Sequence, residues 1–118
     1  LDLEHQTALM WAAAQGHLTT VKGLVENDAK VDLVTKKGKT SLLLAAQFGK
    51  EEVCKFLIQQ GANVGQQDED GKTALFGAVE AGNHALSEAL IDRKCPLEAR
   101  SQRGETALMW AALHQELQ

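Results

Sequence analysis

This 118-residue chain is short of the features that commit a protein to nucleic acid, to a bilayer or to a disulfide scaffold. Basic residues are outnumbered, 12 lysines and arginines against 16 aspartates and glutamates, for a net charge of −4. Neutralising a phosphate backbone needs a dense basic stripe, so nucleic acid is not an expected partner. Long apolar runs are missing as well. The longest, ALMWAAA at 8–14, is far shorter than the roughly 20 residues that cross a bilayer, and the opening LDLEH has neither the basic flank nor the apolar core of a signal segment. The expectation is a soluble chain without membrane insertion. Cysteine is limited to Cys54 and Cys95, which match no metal-ligand spacing and lie in apolar segments. Buried thiols in a reducing compartment, cytoplasmic and/or nuclear, are expected, with a disulfide as the minority alternative. Aromatic residues are few: two tryptophans, three phenylalanines and no tyrosine, so the position of each one carries weight. What remains, 44% hydrophobic and 24% charged, is the composition of one folded domain.

The heptapeptide TALMWAA occurs twice, at 7–13 and at 106–112, and the offset of 106 − 7 = 99 residues divides into three steps of 33. Stepping by 33 aligns Thr7, Thr40, Thr73 and Thr106; Leu9, Leu42, Leu75 and Leu108; Ala12, Ala45, Ala78 and Ala111. Gly16, Gly49 and Gly82 follow, then Leu24, Leu57 and Leu90, then Val31, Val64 and Leu97. Regular internal repetition of this kind means stacked units. In each, a glycine turn (GKT at 38–40 and 71–73, GET at 104–106) delivers a threonine whose hydroxyl can cap a first helix, and the next glycine ends that helix. A second, amphipathic helix follows. In EEVCKFLIQQ, Val53, Phe56 and Leu57 are the expected inward residues, and Phe76 is assigned to the core as well. Alanine pairs such as Ala45 and Ala46 let the first helices pack closely while the bulkier second helices splay, which curves the stack.

The 33-residue period and the pattern T-x-L-x-x-A-A-x-x-G, followed by an apolar helix and GANV at 61–64, resemble ankyrin repeats. The resemblance covers almost the whole chain. It implies an all-α solenoid of stacked helix-turn-helix units with short β-hairpin turns, a single domain over 1–118 with units near 5–37, 38–70 and 71–103 and a partial unit at 104–118. The family's proline after the threonine is replaced by Ala8, Ser41, Ala74 and Ala107, and its histidine by Met10, Leu43, Phe76 and Met109, so stability must lean on apolar packing. Asp28 and Lys94 replace the glycine that ends the second helix, whereas Gly61 keeps it; each replacement carries a strain of about 1 kcal/mol. The first and third units are expected to be softer for it. Because Leu1 is not an initiator methionine and apolar residues sit at both ends, the chain is expected to be a piece of a longer array; Gln115, Glu116 and Gln118 as a polar cap are the alternative.

Catalytic motifs are imitated but not met. A phosphate-binding loop needs glycine five residues before its GK, where Leu33 and Gln66 stand. His5, His17, His84 and His114 form no close ligand pair, and the DED run at 68–70 is followed by GKTALFGAV, which lacks the further oxygen ligands of a calcium loop. Neither catalysis nor a cofactor or metal is expected.

What the resemblance implies is recognition by surface: a concave groove formed by the fingertips and first helices, binding a partner peptide or protein. Carried over position by position, the groove-facing residues are Trp11, Leu44, Gly77 and Trp110, then Gln15, Phe48, Glu80, Ala81 and His114 one turn on. Three of the five aromatics thus fall on outward positions. Phe48 with Leu44 forms the expected centre and the tryptophans the flanks, although either tryptophan can instead cover a neighbouring helix end. With first helices about 10 Å apart, the two tryptophans lie roughly 30 Å from each other, too far to form one aromatic cage. An extended partner needs about nine or ten residues to touch both. Gly77 leaves a dip in that line or permits close backbone approach. The fingertips add Lys36, Lys37 and Lys39, then Asp68, Glu69 and Asp70, then Arg100 and Arg103, an alternation that tunes encounter and selectivity unless it is only solvated loop. The function expected is a non-catalytic protein-interaction module, monomeric, with end-to-end association open to it; the alternative is a substrate-recruiting segment of a larger enzyme or ubiquitin-ligase-type assembly.

Overall fold

The computed structural model describes residues 2–27, 29–35, 37–109 and 112. Six helices occur in three pairs: α1 (Asp2–Gln15) with α2 (Leu18–Glu26), α3 (Ser41–Gln47) with α4 (Glu51–Gln59), and α5 (Ala74–Glu80) with α6 (His84–Asp92). Corresponding helices from α2 onward begin 33 residues apart, as the repeat predicts. The first helices form an inner row in the order α1, α3, α5, and the second helices form an outer row in the order α2, α4, α6. Contact along the inner row is much more extensive than along the outer one, so the stack bends toward the first helices.

The repeated residues account for this arrangement. Leu9, Leu42 and Leu75 are buried, as are Ala12, Ala45 and Ala78 between them. Full burial of each leucine contributes about 2 kcal/mol, while the alanine methyls leave the helices room to approach. Met10, Leu43 and Phe76, standing where the family pattern has histidine, are also buried and give the inner row an apolar filling. From the outer row, Val21, Cys54, Leu57, Leu86 and Leu90 complete the core. Phe56 is half-buried and packs against this core, with the Lys22 ammonium 5.8 Å from its ring centroid. Val53 and Leu57 are buried as expected, and Cys54 and Ile58 are buried with them. Both cysteines are free and buried.

Helix starts follow the threonine pattern unevenly. Thr40 Oγ1 accepts from the Leu43 N–H at 3.2 Å, and Thr106 Oγ1 from the Met109 N–H at 3.2 Å. Thr73 holds the same N-cap place without a side-chain cap bond, and its hydroxyl accepts from Cys95 Sγ at 3.7 Å. Thr7, expected to start a helix, lies inside α1, which runs on back to Asp2 because His5 stands where the later units have a turn-forming glycine. At the ends of the second helices, Gly61 has φ 89° and Lys94 has φ 63°, the left-handed conformation that glycine adopts freely and lysine does not. Asp28 lies outside the described residues.

Between the units, the fingers are tight turns. The N–H of Thr35 donates to Lys39 O, that of Asp68 to Lys72 O and that of Ser101 to Glu105 O, at 2.8–3.0 Å. No named strand forms among the described residues, and pairing of the hairpin kind is confined to one antiparallel bridge between Arg100 and Thr106.

Candidate functional site

The fingers are built on one repeated device that sequence reading missed. Thr35, Asp68 and Ser101 are equivalent, and one side-chain oxygen of each accepts the N–H groups two and four residues on. An oxygen-bearing side chain recurring at the 33-residue step was the available signal. The fingers are also tied to each other: the Glu69 N–H donates to Lys37 O at 2.8 Å, and the Gln102 N–H donates to Asp70 O at 2.7 Å.

Asp68 therefore does not present its charge to a partner, contrary to the expectation from its fingertip position. Its side chain is 2% exposed; Oδ1 accepts from the Asp70 and Lys72 N–H groups, and Oδ2 from Lys39 Nζ at 2.8 Å. Burial alone pushes its carboxyl up, but the Lys39 ammonium and the two backbone N–H groups outweigh that and hold it below the ordinary value. Lys39 is committed too, since Nζ also reaches Gln47 Oε1 at 3.5 Å. Lys37, Glu69, Asp70 and Arg103 remain exposed along the finger rim. Arg100 is turned back onto its own finger, donating to Gly104 O at 2.6 Å.

On the inner helices, Leu44 is half-buried and Phe48, one turn on, is 54% exposed. Gln47, not foreseen, is exposed beside Phe48 and marks this face as the one that Lys39 overhangs. Glu80 and Ala81 are the equivalents of Gln47 and Phe48 in the next pair, and both are exposed. Gly77 is not a dip for a partner. A Cβ there would stand 2.9 Å from the Gln47 backbone nitrogen and 3.1 Å from the Ala46 carbonyl carbon, so the space is filled by α3. Trp11 is 58% exposed on α1, its ring 5.3 Å from the His17 ring, centroid to centroid. Gln15 is exposed near the end of α1. Lys36, Trp110 and His114 lie outside the described residues.

A cleft of about 270 Å³ opens between the second and third fingers, lined by Asp70, Lys72, Ser101, Gln102, Arg103 and Glu105. Its lining is polar and of mixed charge. Elsewhere, burial pushes the Cys54 thiol up to about 12, with the Glu51 charge adding to the effect, and burial raises Cys95 as well. Burial thus favours the protonated form of both thiols, the less nucleophilic one. Among the described residues, no group of three metal-ligating side chains comes together and no helix is long and apolar enough to cross a membrane.

A family model for ankyrin repeats, three copies long, matches residues 1–68 and again 43–118. The chain belongs to the ankyrin-repeat family. Ankyrin repeats are generally protein–protein interaction modules, and the stacked helix pairs found here are their architecture. No curated protein matches the chain. In this stack the inner helices expose Gln47, Phe48, Glu80 and Ala81, with Leu44 half-buried, and the fingers expose Lys37, Glu69, Asp70 and Arg103.

Proposed function

We propose that this ankyrin stack is a non-catalytic recognition module that binds a protein or peptide segment on its inner face, centred on Leu44 and Phe48. The observation that carries this reading is Phe48: a phenylalanine 54% exposed on the face overhung by the fingers, in a chain whose other inner-row phenylalanine, Phe76, is buried. An exposed aromatic side chain in a concave, finger-bounded surface is the usual anchor of an interface. Glu80 extends the contact surface toward the third unit, and Lys37, Asp70 and Arg103 supply a charged rim that governs encounter and partner choice. Trp11 and Gln15 flank the face at its first-unit edge. Asp68 and Gly77 support the face from inside and are not contacts.

Alanine at Phe48 is expected to weaken binding of an identified partner at least tenfold, about 1.4 kcal/mol, without loss of thermal stability, because its side chain is largely exposed. Equal affinity of wild type and Phe48→Ala for that partner, measured by calorimetry, would place recognition on another surface.

A further inference from the structure

Stepping the inner face by 33 residues, from the second unit to the third, changes its chemistry. Phe48 becomes Ala81 and Gln47 becomes Glu80, so a large apolar side chain gives way to a small one and a neutral amide gives way to a carboxylate. The rim changes in the same sense. Exposed Lys37 on the first finger is replaced by exposed Asp70 on the second, where Glu69 is exposed as well. The first finger also exposes Leu33 and Val34, whose equivalents on the second are Gln66 and Gln67. The face therefore exposes Phe48 in the second unit and Glu80 in the third, under a second finger whose exposed carboxylates, Glu69 and Asp70, outnumber its Lys72.

Resting on the inner-face reading above, the geometry points to one class of partner: a linear protein segment with a large apolar side chain that seats on Phe48 and Leu44 and a lysine or arginine that meets Glu80 and the Asp70 rim. Neighbouring inner helices lie about 10 Å apart, and an extended chain advances about 3.3 Å per residue. The apolar anchor and the basic residue thus stand about three positions apart. A segment with an acidic residue in that place meets like charge and is rejected.

The test is selection of random linear 12-residue peptides on the wild-type protein, with removal of those that also bind Phe48→Ala. Surviving peptides are expected to pair a Phe, Leu, Trp or Met with a Lys or Arg three or four positions away. They should lose about fivefold in affinity on Glu80→Lys, the size expected of exposed ion pairs, and the loss should shrink in high salt. The same peptides with the basic residue changed to Glu should bind Glu80→Lys better than wild type. Glu80→Gln, a milder change at an exposed site, guards against a folding defect and should show a smaller loss of the same sign. Survivors with no basic enrichment, or with equal affinity for Glu80→Lys and wild type, would overturn the charge inference and leave the Phe48 anchor standing. If no selected peptide depends on Phe48, the anchor itself fails, and the charge inference with it.

Discussion

The second and third units are built on the same frame 33 residues apart, yet they solve three local problems differently. At the finger, the second unit has Asp68, which bonds its own turn and reaches back to Lys39, whereas the third has Ser101, whose hydroxyl bonds its own turn at 3.2–3.3 Å. A polar cleft lies beside Ser101. On the inner helix, Leu44 in one unit corresponds to Gly77 in the other, where α3 leaves no room for a side chain. At the end of the outer helix, Gly61 corresponds to Lys94, held at φ 63°. The lesson is that a repeat tolerates substitution at equivalent places only as far as its particular neighbours allow. Exchanging residues between the two units therefore measures what each neighbour demands.

The largest effect is expected from Gly77→Leu, which copies the second unit into the third. It forces side-chain atoms into the α3 backbone and should lower stability by about 3 kcal/mol, read as a fall in the urea midpoint. A variant as stable as wild type would mean that α3 and α5 separate easily.

Next comes Asp68→Ser, which gives the second finger the third finger's residue. Losing the charged hydrogen bonds while Lys39 stays partly buried should cost about 2 kcal/mol at neutral pH. This exchange also has a pH signature. Because the folded value of Asp68 is depressed, its contribution is fully present above the ordinary aspartate value of 3.8 and is lost as pH falls through the lower folded value. Wild type should therefore lose stability more steeply than Asp68→Ser on acidification. Parallel curves from denaturant titrations across that range would show that the carboxylate holds nothing together.

Lys94→Gly should relieve the left-handed lysine and raise stability by about 1 kcal/mol, with Gly61→Lys lowering it by a similar amount. The pair of thermal midpoints should move in opposite directions. The smallest change is Ser41→Ala, the residue found at the equivalent Ala74. Ser41 Oγ is fully buried with no hydrogen-bond partner among the described residues, so removing it should stabilise by up to about 1 kcal/mol. A loss of stability there would imply a partner for that hydroxyl.

The spacing of Thr40, Leu42, Ala45 and Gly49, repeated at Thr73, Leu75, Ala78 and Gly82, was enough to locate the helix pairs, since such positions respond to burial and local backbone conformation alone. The exposed Phe48 was legible for the same reason: it sits one turn from Leu44 on a helix whose buried side was already assigned. Strain at Lys94 was legible from the glycine it replaces. Asp68 was not, because a carboxylate at a fingertip reads as solvated until Lys39, 29 residues earlier in the chain, is found beside it. Thr7 misled because the cap it suggests depends on a turn that His5 does not make.

What the sequence determined by itself was the unit: its length, its two helices, the apolar stripe of each and the residues left over on the outside. Burial periodicity and turn chemistry act over a few residues and are written locally. Only the tertiary structure decided what each leftover residue meets. It put the α3 backbone against Gly77 and enclosed Asp68 beside Lys39, because these outcomes depend on the distance between one unit and the next, which no single unit encodes.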